Sequence, residues 1–106
     1  MRRNKYNAKK TKVDGILFDS KKEAVRYSEL KLLEEAGLIE NLALQVNFEL
    51  VPKTETERAL NYRADFTYTE DGLEIVEDVK GKKTDLYIAK RKMFKYKYPQ
   101  YVFREV

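Results

Sequence analysis

The dipeptide Asp71-Gly72 constrains this chain more than any other pair of residues. It separates two β-prone runs, Tyr62–Thr69 and Leu73–Lys80, and Asp-Gly readily supplies the positive φ angles of a two-residue hairpin turn. Such a turn sets the register: Glu70 faces Leu73 and, counting back along both strands, Asp65 faces Asp78. A three-residue bulged turn would move that register by one. Opposed side chains on neighbouring strands have Cβ atoms roughly 4.5–5.5 Å apart, so two aspartates held there repel each other. Lys80 lies on the same face as Asp78, two residues further on.

The other elements arrange themselves around this hairpin. Lys12–Phe18 reads as a small hairpin about Asp14-Gly15. Ser20 starts a helix to about Ala36, with Gly37 as its stop. Ala24, Tyr27, Leu30 and Ala36 recur at helical spacing, and Leu32 and Leu33 widen the apolar face. From Leu42 to Val51 the pattern is period two, placing Leu42, Leu44, Val46, Phe48 and Leu50 on one face before Pro52 ends the strand. Lys53–Asn61 is polar and aperiodic, a loop. Gly81 breaks the third strand, Thr84 or Asp85 caps a second helix to about Lys97, Pro99 stops it, and Tyr101–Val106 closes the chain as a strand. Strand, helix and strand over Leu73–Val106 predict a right-handed crossover with parallel outer strands. The expectation is a basic, flexible arm over 1–12 and one α/β domain over 13–106. That domain has an α-β-β-β-α-β core, a mixed central sheet flanked by helices, and a small N-terminal hairpin.

Composition then narrows the chemistry. There is no cysteine, histidine or tryptophan. Disulfides, thiolate nucleophiles, Ser-His-Asp triads and Cys/His metal sites are therefore excluded. Carboxylates, lysine, tyrosine, amides and a hard oxygen-ligated cation such as Mg²⁺ remain. Charged residues make up 38% of the chain, well above the usual ~25%, and they are segregated. Residues 1–12 hold six bases (Arg2, Arg3, Lys5, Lys9, Lys10, Lys12) and no acid. Residues 80–97 hold eight bases (Lys80, Lys82, Lys83, Lys90, Arg91, Lys92, Lys95, Lys97) against Asp85, and residues 13–79 carry a net −9. Two basic blocks around an acidic middle suggest a polyanion surface beside a carboxylate-rich region. Each block alone also reads as a tail or a solvated helix face. Tyr6, Tyr87, Tyr96 and Tyr98 lie among the bases, as stacking platforms or as core. No apolar run approaches the ~20 residues of a membrane span and no signal-peptide pattern opens the chain, so a cytoplasmic protein is expected.

A cation bridging Asp65 and Asp78 would turn their repulsion into attraction, and Mg²⁺ typically takes one or two carboxylates plus waters and substrate phosphate. Lys80 could then orient or help deprotonate an attacking water, or neutralise charge developing on the phosphate. The plain structural alternative is a surface Asp78–Lys80 pair with Asp65 solvated. Asp65 followed by Asp78-Val79-Lys80 resembles the PD-(D/E)XK signature of the restriction-endonuclease-like nuclease superfamily. The element order over about 18–106 is similar to that superfamily's core. The flanking segments Phe18–Ala24, Tyr62–Phe66 and Glu77–Gly81 resemble those of small phage and prophage members, some akin to Holliday-junction resolvases. Ala64 stands where the signature's name has proline, and Asp78 is the D form of its third position.

The resemblance implies metal-dependent phosphodiester hydrolysis, with Asp65 and Asp78 as metal ligands, Lys80 as the catalytic lysine and Glu23 as a further acid at the metal. Mg²⁺ is the implied cofactor, with Mn²⁺ able to substitute. Glu23 has a second reading, because Ser20-Lys21-Lys22-Glu23 is a capping-box pattern in which the carboxylate bonds back to the Ser20 amide. Gln45 lies on the polar side of its strand and reaches either the site and phosphates or solvent at an edge. Glu77 should project to the opposite face from Asp78, beside Phe66. The expected activity is that of a DNA endonuclease on duplex or branched, recombination-intermediate DNA, working as a homodimer. The candidate DNA contacts are Arg2, Arg3, Lys5, Lys9, Lys10, Gln45, Lys82, Lys83, Lys90, Arg91 and Lys92. The rival expectation is a non-catalytic nucleic-acid-binding module using the two basic segments. A ribosomal-type RNA-binding protein accounts for the charge but not for the opposed aspartates.

Overall fold

The computed structural model describes residues 9–106; residues 1–8 of the expected arm, with Arg2, Arg3, Lys5 and Tyr6, lie outside the described residues. The described chain begins with a small antiparallel pair, β1 (Thr11–Val13) and β2 (Ile16–Phe18), followed by helix α1 (Lys21–Glu35). Strands β3 (Glu40–Val51), β4 (Leu60–Glu70) and β5 (Leu73–Asp78) come next, then helix α2 (Asp85–Lys97) and β6 (Val102–Glu105). The larger sheet runs β3-β4-β5-β6, with the first two pairings antiparallel and the last parallel. The α/β order and the parallel β5–β6 pair thus match the expectation.

Local chemistry explains the boundaries. The Ser20 hydroxyl accepts the Glu23 N–H at 3.1 Å and opens α1. Gly37, at φ +77°, closes it, and the Leu38 N–H returns to the Leu33 carbonyl. Thr84 caps α2 by accepting the Tyr87 N–H at 3.1 Å. Asp71 and Gly72 both have positive φ, 52° and 78°, as a two-residue hairpin requires, and the β4–β5 ladder runs in the expected register from Glu70↔Leu73 to Phe66↔Glu77. Strand β5 stops at Asp78, two residues before the expected Lys80. Beyond it the backbone stays beside the chain end, where the Val106 N–H donates to the Asp78 carbonyl and the Lys80 N–H to the Val106 carbonyl.

Two apolar clusters hold the sheet. Under α1, Ala24, Tyr27 and Leu30 pack with Phe66, Tyr68 and Ile75. Under α2, Tyr87 and Phe94 pack with Phe48, Tyr62, Ala64 and Val76. Phe94 and Leu30 are almost wholly buried, and truncating either to alanine costs roughly 2–5 kcal/mol.

The period-two run of β3 was expected to face one core and does not. Leu42 and Leu44 join the α1 cluster, whereas Val46, Phe48 and Leu50 join the α2 cluster. Between them Gln45 adopts φ +54°, a left-handed conformation that breaks the pleat and carries the strand from one core to the other. Strand β4 changes sides at the same level, with Ala64 in one cluster and Phe66 in the other. Leu32 does not widen the apolar face of α1; it is exposed, while Leu33 packs inward.

Candidate functional site

The place where β3 and β4 change cores is also where the polar residues gather. Leu44 pairs with Phe66 and Val46 with Ala64, so Gln45 and Asp65 sit between these pairs on adjacent strands. The Gln45 amide Nε2 donates to Glu23 Oε1 at 3.0 Å and to Asp65 Oδ1 at 3.4 Å. Asp65 Oδ2 accepts the Val79 N–H at 2.8 Å, which binds β4 to the chain just past the end of β5. Glu23 therefore forms only half of the capping box. Its amide goes to Ser20, while its carboxylate, buried, turns to Gln45 and the site.

Asp78 ends β5 and is completely buried. Neither carboxylate oxygen has a hydrogen-bond partner; the nearest cation is Lys80, whose Nζ lies 3.5 Å from Oδ2. Lys80 also stands 4.3 Å over the Tyr87 ring, and its carbonyl accepts from Lys22 Nζ at 2.9 Å. The Tyr62 hydroxyl is buried and unpartnered too. Burial raises it, and then the charge and the close approach of the Asp78 carboxylate raise it further, although the contact falls outside hydrogen-bond geometry. Among the described residues, the buried side-chain polar atoms left without a hydrogen-bond partner are these three, all in one spot.

The electrostatics follow from this crowding. Burial, then the charge of Asp78, pushes the Asp65 carboxyl up to about 7, with the Val79 N–H pulling in the other direction. Glu23 is also raised, first by burial and then by Asp19 and Asp78, against the lowering effect of Lys80 and Gln45. Among the described residues no set of three acids forms a ready-made metal cage. A Mg²⁺ site does not need one, because waters and substrate oxygens complete its shell. The donor set fits: hard oxygens, two of them with unspent lone pairs, in a region with excess negative charge.

Beside the carboxylates opens a cleft of about 270 Å³. Its lining is apolar at Ile16, Leu17, Phe18 and Leu44 and polar at Asp19, Glu23, Gln45 and Arg63.

A family model described as "Protein of unknown function (DUF1064)" matches residues 3–105. The chain belongs to the DUF1064 family. No curated protein and no solved structure matches it.

In this DUF1064 chain the structure brings Glu23, Gln45, Asp65, Asp78 and Lys80 together, and Glu77 faces the other way as expected. The basic residues are less uniform. Arg91 places Nη1 2.9 Å from both carboxylate oxygens of Glu105, and Lys83 Nζ is 3.8 Å from the same group, so these two tie α2 and its lead-in to β6. Lys9, Lys10, Lys82 and Lys92 are exposed and Lys90 is half-buried. Of the described tyrosines among the bases, Tyr96 alone is freely exposed. Tyr87 and Tyr98 are core residues whose hydroxyls donate to Glu105 and to the Glu49 carbonyl.

Sequence reasoning passed over Tyr62 and Arg63. Strand alternation gave no dependable signal for Arg63, because β4 changes sides between Ala64 and Phe66. Among the described residues no helix is long and apolar enough to cross a membrane.

Proposed function

We propose that this DUF1064 protein is a metal-dependent DNA endonuclease of the PD-(D/E)XK kind, with Asp65 and Asp78 holding Mg²⁺ or Mn²⁺ and Glu23 as the third acid. The observation that carries this reading is the Asp78 carboxylate, fully buried, with no hydrogen bond to either oxygen, Lys80 alone among the described residues at ion-pair distance, and a second carboxylate beside it. A buried carboxylate that lacks hydrogen bonds is costly even beside one lysine, and a ligand that completes its shell offsets that cost. When bound, the cation supplies polarisation of the phosphoryl oxygen and counter-charge for the transition state.

The chain's own residues supply the remainder. Lys80, steered by Asp78 on one side and the Tyr87 ring on the other, holds an ammonium where a water or a phosphate oxygen would lie. Gln45 links Glu23 to Asp65, so the two acids are positioned as one unit. The Val79 N–H fixes the Asp65 carboxylate and leaves Oδ1 toward Gln45. Exposed lysines and the basic arm hold the phosphate backbone, and binding weakens steeply as salt rises. Branched DNA is the favoured substrate, and two copies are needed to cut both strands.

The test uses plasmid and four-way-junction DNA with Mg²⁺ or Mn²⁺. Wild type cuts, and Asp78→Ala falls to background while retaining a cooperative melt. Equal cleavage by both proteins overturns the assignment. Calorimetry with Mn²⁺ adds a readout independent of catalysis, because one site is lost in Asp65→Ala and in Asp78→Ala.

A further inference from the structure

The cleft beside the carboxylates has a mixed lining, apolar and polar. Strand β2 contributes Leu17, which stays 59% exposed while its neighbours Ile16 and Phe18 pack into the α1 core. Arg63 lines the same cleft, exposed, with no ion-pair or hydrogen-bond partner among the described residues. Arg26, Arg91 and Arg104 are different, since each is anchored on a glutamate. Gln45 has committed its Nε2 to Glu23 and Asp65, which leaves Oε1 as an acceptor. At about 270 Å³ the space is slightly below the ~300 Å³ at which sites for small organic molecules begin, and it suits one nucleotide rather than a duplex.

We infer that this cleft takes one unpaired nucleotide of the strand whose phosphate lies at Asp65 and Asp78; the inference rests on the endonuclease reading above. In a duplex both faces of a base are stacked and its edge is paired, so an aliphatic wall attracts only a base that has left the stack. Leu17 packs against that base, and the Arg63 guanidinium, planar and cationic, stacks on it. Asp19 and Glu23 in the cleft make it a poor place for a second phosphate and a tolerant one for an uncharged base. The substrate class is therefore DNA with an unpaired nucleotide at the scissile position, such as splayed, flapped or mismatched DNA.

Fluorescence anisotropy of the full chain in EDTA, with a short labelled oligothymidylate and a blunt duplex of equal length, tests the pocket without catalysis. Wild type binds the single strand roughly tenfold more tightly than the duplex, the scale expected when one base stacks. Leu17→Ala and Arg63→Gln, both changes at exposed side chains, abolish that preference while thermal melting is retained. Equal affinities in wild type, or a preference that survives both substitutions, overturn the inference. Cleavage in Mn²⁺ then separates the two readings. Cutting confined to the paired–unpaired boundary of a splayed duplex supports the pocket, and uniform cutting along duplex overturns it while leaving the nuclease standing. No cutting of any DNA, with the single-strand preference intact, overturns the nuclease alone.

Discussion

Glu77 and Asp78 are adjacent, acidic and completely buried, and they meet opposite fates. Glu77 faces α1. Its Oε2 accepts from Arg26 Nε at 2.6 Å, and its Oε1 accepts from Arg26 Nη2 at 2.8 Å and from the Tyr68 hydroxyl at 2.6 Å. The Tyr68 hydroxyl in turn meets Arg104, which pairs with Glu70 at 2.7 Å. Asp78 faces α2 and has Lys80 at 3.5 Å, no hydrogen bond, and another carboxylate nearby. The strand's alternation puts one acid on each face, and the surroundings decide its role. A buried carboxylate with a full set of donors stabilises architecture; one without them is held in place by the rest of the fold and is available to a ligand.

The largest effects come from exchanging the two. Asp78→Asn removes cleavage, a loss on the order of 10³-fold or more. It leaves the metal-free protein within ~1 kcal/mol of wild type, because relief of the repulsion with Asp65 offsets the lost Lys80 pair. Glu77→Gln does the reverse, leaving the Arg26 guanidinium without its anion at a cost of about 3 kcal/mol in urea unfolding. Cleavage by the fraction still folded persists. If both substitutions destabilise the protein equally, or both abolish cleavage in fully folded protein, the distinction between the two faces fails.

A smaller effect is expected with pH. Asp65 is raised to about 7 and Glu23 is raised with it, so folding holds protons that the unfolded chain, with carboxyls near ~4, releases. The ionised site is a stability penalty that is fully present above pH 7 and fades as pH falls toward 5. In EDTA the protein therefore melts several degrees higher at pH 5 than at pH 8. Asp65→Asn flattens that slope, and Mn²⁺ raises the melting temperature at pH 8 by binding the ionised acids. A wild-type melting temperature that climbs from pH 5 to pH 8 in EDTA would contradict the crowding of acids on the α2 side.

Much of this was legible because it depends on local chemistry. Asp71-Gly72 needs two positive φ angles, and those angles set the ladder that places Glu77 beside Phe66 and turns Asp78 to the other face. Ser20, Gly37 and Thr84 likewise mark helix ends through bonds within a few residues. What stayed hidden depends on contacts distant in sequence. The alternation of β3 looks unbroken because the residue that reverses it is Gln45, and nothing in a glutamine announces φ +54°. The reversal is a consequence of two helices packing on opposite faces of one strand pair. The ladder's end was hidden for a similar reason. The Val79 N–H goes to Asp65 Oδ2, so the ladder with β4 stops where a simple register continues it to Lys80, while the backbone stays bonded to Val106. Arg91 reads as a phosphate contact until β6 brings Glu105 against it.

The same contrast extends to the tyrosines of β4 and gives the smallest effect. Tyr68 sits on the Glu77 side and donates to it at 2.6 Å; Tyr62 sits on the Asp78 side, with a buried hydroxyl that has no partner. Removing each hydroxyl leaves the ring and its packing in place, so the two phenylalanine variants measure the hydroxyls alone. Tyr68→Phe takes one donor from a buried carboxylate and costs ~2 kcal/mol, the range for hydrogen bonds to charged groups. Tyr62→Phe removes a desolvated polar group that has gained nothing in return, so the metal-free protein is unchanged or ~1 kcal/mol more stable. Urea unfolding of both variants in EDTA gives the two numbers directly. A cost for Tyr62→Phe equal to that for Tyr68→Phe would show that Tyr62 already bonds Asp78 in the free protein. The Asp78 carboxylate would then be satisfied by the fold itself, and the main observation favouring a cation there would be gone.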